Sequence, residues 1–297
     1  MCRLFGLSGG RQRIRATFWL LDAPDSLRVQ SRVEPDGAGL GTFAEDGSPV
    51  VFRTPLAAYE DARFAAEANE TESTTFVAHV RYASTGAVSV PNTHPFEQRR
   101  RLFAHNGVVG DLPKLEHALG SYRSLVHGDT DSERVFALIT READRAADDL
   151  TTAITKAAQW VARELPLYAL NLILTTPEGL WALRYPETHE LFVLERPAGG
   201  THGHRHFEGT GAAGRIRVRS AHLADRRSVI VASEPLDEHA GWRNLEPGEL
   251  LHVDADLRVH VSTAVAEPPA RPLRLQDLDA RTAASQHPTS RPSASRG

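Results

Sequence analysis

The sequence predicts an α+β fold of two packed antiparallel sheets with helices outside. Three observations carry this. Strand patterns come first, a long helical stretch follows and strand patterns return, without the regular alternation of a doubly wound parallel sheet. The later strand segments are joined by tight turns containing Gly or Pro, which suits antiparallel neighbours. Finally, 297 residues with 41% hydrophobic and 24% charged side chains are enough for one large or two ordinary domains.

In chain order, residues 3–8 read as a short buried strand ending at Gly9-Gly10, and 13–32 carry helical spacing through Phe18, Leu21 and Leu27. Pro35-Asp36-Gly37 is a turn signal. Strands follow at 38–43 and 49–53, split by Glu45-Asp46-Gly47, and residues 57–69, Ala-rich and free of Gly and Pro, predict a helix. Residues 75–82 predict a strand entering a loop. Leu102 to His105 predict a strand running into Asn106-Gly107, a hairpin-turn pair, with Val108-Val109 extended beyond it. Residues 131–164 predict two helices split near Asp149, with Val135, Leu138, Ile139, Ile154, Ala157 and Val161 at helical spacing. Further strands are expected at 168–176, 179–185, 190–195, 215–219, 228–233, 248–254 and 257–262. From about Glu267 the chain turns Pro-, Arg- and Ser-rich, and 267–297 is expected to be a disordered tail.

The formal net charge of −4 gives no basic face for nucleic acid. No run of 18 apolar residues predicts a membrane span, and Met1 to Gly10 lacks the layout of a secretory signal. A single cysteine excludes an internal disulfide and Cys-rich metal sites, and a lone thiol fits the reducing cytoplasm. His202, His204 and His206 alternate in a Gly-rich loop, but no His-Glu-x-x-His helix exists, so neither metal nor cofactor is expected.

That cysteine is the second residue. Removal of Met1 would put a free α-amine beside the thiol, an amine that can act as the base for a thiolate nucleophile. By position alone, Cys2 reads more readily as a small buried hydrophobe on a first strand. Arg81 leads into Tyr82-Ala83-Ser84-Thr85-Gly86; a guanidinium fork with nearby hydroxyls suits a carboxylate, and a surface ion pair is the commoner fate. His94, in Asn92-Thr93-His94-Pro95, is a ligand, a base or a structural hydrogen-bonder. Asn106-Gly107 offers a side-chain amide and a backbone N–H for an oxyanion hole, or a plain hairpin turn. Asp131, in Thr130-Asp131-Ser132-Glu133, sits where a helix cap belongs and could bind an ammonium.

Together and in this order, Cys2, Arg81-Tyr82-Ala83-Ser84, Thr93-His94-Pro95, His105-Asn106-Gly107 and Thr130-Asp131-Ser132-Glu133 resemble the class II, N-terminal-nucleophile glutamine amidotransferase domain. Pro35-Asp36-Gly37-Ala38-Gly39-Leu40, Ala232-Ser233-Glu234-Pro235-Leu236 and Trp242 through Leu251 resemble the stand-alone single-domain branch, which includes the ergothioneine-pathway γ-glutamyl hydrolase. The resemblance covers residues 2–262; Pro197 to Gly214 and the tail lie outside it. It departs from larger members at Tyr82, where they have Trp, and at Thr85, beside the pocket.

The resemblance implies an Ntn-hydrolase four-layer αββα sandwich with two stacked antiparallel sheets. It implies that Cys2 attacks the side-chain amide of glutamine or another γ-glutamyl compound, with its α-amine relaying the proton. Asn106 and the Gly107 N–H would hold the oxyanion. Arg81 would bind the α-carboxylate and Asp131 the α-ammonium, with Ser84, Thr85 and His94 completing the pocket. Residues after 262 are too short and polar to form a synthase domain. Four readings stay open: a self-sufficient hydrolase of glutamine or a γ-glutamyl compound, a glutaminase subunit feeding a separate synthase, a non-catalytic Ntn-like binding protein, and a Cys-type acylase. The first is preferred.

Overall fold

The computed structural model describes residues 2–82, 86–198, 207–211, 214–218 and 226–286. Two seven-stranded sheets stack face to face. The first has the order β15 (Arg243–Asn244), β11 (Phe192–Arg196), β14 (Ser228–Ala232), β1 (Arg3–Ser8), β6 (Thr75–Val80), β3 (Ala38–Phe43) and β4 (Pro49–Thr54), and every pairing in it is antiparallel. The second runs β17 (Val259–Thr263), β16 (Glu249–Val253), β10 (Gly179–Leu183), β9 (Pro166–Thr176), β8 (Arg101–Val109) and β7 (Phe96–Gln98), with β18 (Arg271–Pro272) joining β9 in parallel. Two small ribbons pair β2 (Ile14–Arg15) with β5 (Glu72–Ser73) and β12 (Phe207–Gly211) with β13 (Gly214–Val218).

Side chains alternate between the two faces of each strand, and this alternation builds the layers. On β1, Leu4 faces the gap between the sheets, where it meets Val77, Leu102, Ala104, Ile173 and Leu180. Phe5 and Leu7 face outward with Phe76, under Trp19, Leu20, Leu27 and Phe64. The residues covering that outer face come from a π-helical turn, Phe18–Asp22, and from helices α1 (Leu27–Gln30) and α2 (Ala62–Glu70). On β8, Leu102 and Ala104 face inward, while Phe103 faces the opposite helical layer. That layer is α3 (Leu112–Leu119), α4 (Asp131–Arg145) and α5 (Leu150–Glu164). The result is a four-layer αββα sandwich. Among the described residues no helix is long and apolar enough to cross a membrane.

Helices α4 and α5 divide where the sequence predicts. Thr130 caps α4 by accepting from the Glu133 N–H, and Asp149 caps α5 by accepting from the Thr152 N–H at 3.1 Å.

Three expectations change. Residues 13–32 are not one helix: Phe18 to Leu21 are all buried rather than forming one stripe, and Pro24 holds Ala23 extended (ψ 147°), which stops helical propagation. Asn106-Gly107 is no hairpin turn. β8 runs straight through it, with Asn106 opposite Asn171 and Gly107 opposite Leu170, so long-range pairing overrides local turn chemistry. Residues 271–286 are not a disordered tail. They hold β18, a 3-10 turn at Leu275–Asp277 and helix α6 (Ala280–Gln286). The Leu273 N–H donates to Leu167 O at 2.8 Å, Leu273 and Leu278 pack on Val108, Tyr168 and Ala169, and His189 Nε2 pairs with Gln286 Oε1 at 2.8 Å. Two leucines and one buried amide are enough to anchor a polar segment. Residues 287–297 lie outside the described residues, as do His202, His204 and His206.

The inter-sheet core carries much of the stability. Ile173, fully buried between the sheets, leaves a cavity when truncated; Ile173→Ala is expected to cost about 2–5 kcal/mol in urea denaturation.

Candidate active site

Cys2 has the same parity on its strand as Leu4, so its side chain points between the sheets. Register places Arg3 opposite Val80, which brings the start of β1 beside Arg81, one residue past the end of β6. Asn106 has the parity of Leu102 and Ala104 on β8 and points into the same gap. There its Nδ2 donates to Cys2 O at 3.0 Å. The half-buried Sγ lies between the Tyr82 N–H, which donates to it at 3.3 Å, and Tyr82 O at 3.4 Å. Burial pushes the Cys2 thiol pKa up; the Tyr82 N–H and the Arg81 cation pull the other way.

Gly107 sits at a close approach: a Cβ there would stand 1.9 Å from Ala169 O, so no side chain fits. Its N–H direction follows from strand geometry. In an antiparallel pair a residue's N–H and C=O share one side, and sides alternate along the strand. Leu170, opposite Gly107, sends its N–H away from β8 to Tyr185 O. The Gly107 N–H therefore also faces away from β9, along the edge of β8 beyond the short partner β7. Val109, two residues on, presents its N–H to the same edge, where Asp131 Oδ2 accepts it at 2.9 Å. Asp131 is 3% exposed, and its Oδ1 accepts the Ser132 N–H at 2.9 Å. Arg81 is buried too. It donates from NH1 to Ala87 O at 3.0 Å, and burial lowers its pKa against the opposing pull of Cys2, Asp36 and Asp131.

Cys2, Asn106, Gly107, Arg81 and Asp131, widely separated in sequence, thus converge at one end of the two sheets. His94 lies deeper. Its ring stacks on His79 at 4.2 Å and against Phe96, 5% exposed, and neither ring nitrogen has a hydrogen-bond partner among the described residues. Burial holds the pKa of His94 well below the ordinary value and that of His79 at about 3, so both rings are neutral. Ser84 and Thr85 lie outside the described residues. An open cleft of about 800 Å³ lined by Arg11, Arg13 and Arg99 to Arg101 is at the other end of the sheets and shares none of these side chains. Among the described residues no group of three or more His, Cys, Asp or Glu side chains could hold a metal ion.

One residue of this neighbourhood is absent from the sequence reading. Glu34 is fully buried and pairs with Arg3 at 3.2 Å; Arg3 also reaches Glu234 at 3.3 Å. Burial raises the Glu34 pKa from 4.5 to about 7, against the pull of Arg3. Nothing in Val33-Glu34-Pro35 marks this carboxylate as buried. Its folded pKa lies above its unfolded one, so between about pH 4.5 and 7 the unfolded chain loses this proton first and stability falls as pH rises. Glu34→Gln should remove that slope. In thermal melts across this window the variant is expected to gain on wild type with rising pH, by on the order of 2 kcal/mol at the upper end; parallel curves would contradict the assignment.

Comparison with known proteins bears on the fold and the family. A family model for class II glutamine amidotransferases matches residues 1–272. An uncharacterized protein of Methanocaldococcus jannaschii is 29% identical over 269 residues, covering 84% of this chain and 68% of that one. The gamma-glutamyl-hercynylcysteine sulfoxide hydrolase of Mycolicibacterium smegmatis is 29% identical over 246 residues, covering 79% of this chain and 88% of that one. Among solved structures, a glutamine aminotransferase class-II domain protein from Silicibacter pomeroyi shares the fold with a TM-score of 0.57 at 21% identity, covering 89% of this chain and 100% of that one. The chain belongs to the class II glutamine amidotransferases and is an enzyme of the amidohydrolase type.

Proposed function

We propose that the protein hydrolyses the γ-glutamyl amide bond of glutamine or of a related γ-glutamyl compound, in the cytoplasm, through a thioester on Cys2. The carrying observation is that Asn106 Nδ2 donates to Cys2 O, which sets the start of β1 against the Asn106-Gly107 stretch of β8, while the Arg81 cation lies within electrostatic reach of both Cys2 and Asp131. A fixed cation and a fixed anion near one nucleophile match the carboxylate and ammonium of an amino-acid head group.

In this mechanism Met1 is removed and the Cys2 α-amine takes the thiol proton. Sγ attacks the amide carbon, a C–S bond forms and the carbonyl electron pair moves to oxygen. One Asn106 N–H is used on Cys2 O; its second N–H and the Gly107 N–H take the oxyanion. The proton passes to the leaving nitrogen, the C–N bond breaks, and ammonia or an amine departs. Water then attacks the thioester, releasing glutamate and restoring the thiol. His94 backs the pocket as a neutral buried ring; Ser84 and Thr85, which lie outside the described residues, are assigned to it by the family resemblance alone. The relationship to a γ-glutamyl-hercynylcysteine sulfoxide hydrolase supports a γ-glutamyl substrate and a self-sufficient hydrolase.

The test is glutamate release from L-glutamine and a panel of γ-glutamyl compounds by wild type and Cys2→Ala. Wild type is expected to turn over at least one member. Cys2→Ala should lose at least about a thousandfold, because no other group can form the acyl intermediate, with its melting temperature little changed. Equal release by both proteins, or none by wild type whose Met1 is confirmed absent by mass spectrometry, would overturn the reading.

A further inference from the structure

His105 precedes the two oxyanion residues and takes no part in the steps above. Its side chain leaves β8 on the opposite face from Asn106, beside Phe103, and is buried against α4. His105 Nδ1 lies 2.9 Å from Ser132 Oγ, and Ser132 Oγ lies 3.4 Å from Asp131 Oδ1. The same ring leans on the oxyanion strand: a Cβ on Gly107 would stand 2.7 Å from His105 Nε2. Burial keeps the His105 pKa below its ordinary value, with Asp131 and a hydrogen bond to the Ala169 carbonyl pulling the other way, so the ring carries one N–H.

Hydrogen-bond accounting places that N–H. A carboxylate only accepts, and a hydroxyl has one proton to give. The ring N–H is at Nε2, on the side of the Ala169 carbonyl, whose hydrogen bond raises the His105 pKa; that oxygen and Nε2 both crowd Gly107. Nδ1 then accepts the Ser132 proton at 2.9 Å, and Asp131 Oδ1 is held by the Ser132 N–H at 2.9 Å.

We propose that His105 is a positioning residue: through Ser132 it holds the Asp131 carboxylate in the orientation that receives the substrate α-ammonium, and its ring ties that orientation to the Gly107 segment of β8. The inference rests on the reading in which Asp131 takes the ammonium. The Val109 N–H and the Ser132 N–H fix the Asp131 carboxylate, and the His105–Ser132 hydrogen bond fixes the helical turn that carries both Ser132 and Asp131. The carboxylate enters the binding pocket set in one rotamer instead of being ordered by each substrate molecule. The same ring also explains why one strand can serve both ends of the substrate, its amide oxygen at Gly107 and its ammonium at Asp131.

The experiment compares kcat/KM for L-glutamine with that for glutaramate, which has the same amide but no α-amine. It uses wild type, Ser132→Ala, His105→Phe and His105→Asn. Wild type is expected to prefer glutamine. Ser132→Ala and His105→Phe should reduce that preference about tenfold, a loss on the scale of one hydrogen bond, mainly through a raised KM for glutamine and with glutaramate little affected. His105→Asn, whose amide oxygen can accept from Ser132 near the place of Nδ1, should recover most of the preference. A general structural defect would lower both substrates alike. An unchanged preference in Ser132→Ala, a parallel loss on both substrates, or no recovery in His105→Asn would overturn the assignment. A wild type inactive on both substrates and on the wider γ-glutamyl panel would instead overturn the functional reading on which it rests.

Discussion

Everything at the site depends on two sheets meeting face to face with the start of β1 opposite the middle of β8. Because side chains alternate, the parity that sends Leu4 into the inter-sheet core also sends Cys2 there, and the parity of Leu102 and Ala104 does the same for Asn106. Cys2 is thus held by the register of a central strand and by the hydrophobic contact below it. The same closeness demands a residue without a side chain at Gly39, where a Cβ would come 2.0 Å from His94 O. The segment carrying His94 lies directly on β3, and this packing puts two neutral histidine rings behind the pocket.

The fold was largely legible because its signals are physical consequences of burial. Strands buried on both faces read as short apolar runs, and α4 and α5 show the helical spacing and the capping residues that end them. Asn106-Gly107 was misleading as structure. Turn propensity is a local preference of a few tenths to about one kcal/mol. Pairing along all nine residues of β8 outweighs it, and the Gly is kept because Ala169 O leaves no room for a Cβ. The segment 271–286 was misread because composition averages over residues, whereas anchoring needs only Leu273, Leu278 and Gln286 in the right places.

The site was legible only as separated motifs whose meeting point no spacing rule gives. Arg81 and Asp131 could be named because their types suit an amino-acid head group. Glu34 and the His105–Ser132 pair could not. A buried carboxylate in Val33-Glu34-Pro35 looks like any surface glutamate until Arg3 is seen beside it. Ser132 reads as an ordinary residue of a first helical turn until β8 brings His105 to 2.9 Å from it.

The electrostatics set what the proposed reaction must overcome at Cys2. A thiol between two sheets gains reach to Asn106 but loses solvation, and burial is the largest influence on its pKa, in the upward direction. Tyr82 N–H and the Arg81 charge oppose burial without reversing it. His79 and His94 are held neutral and have their pKa pushed far down by burial, so they are poor proton acceptors there. In the proposed reaction an α-amine on Cys2 itself would bring a base with a pKa near 8, tethered to the thiol by three bonds and at no cost in ordering a further side chain. The fold makes the Cys2 thiol hard to ionise, and in the proposed reaction an α-amine on the same residue, once Met1 is removed, would offset that cost.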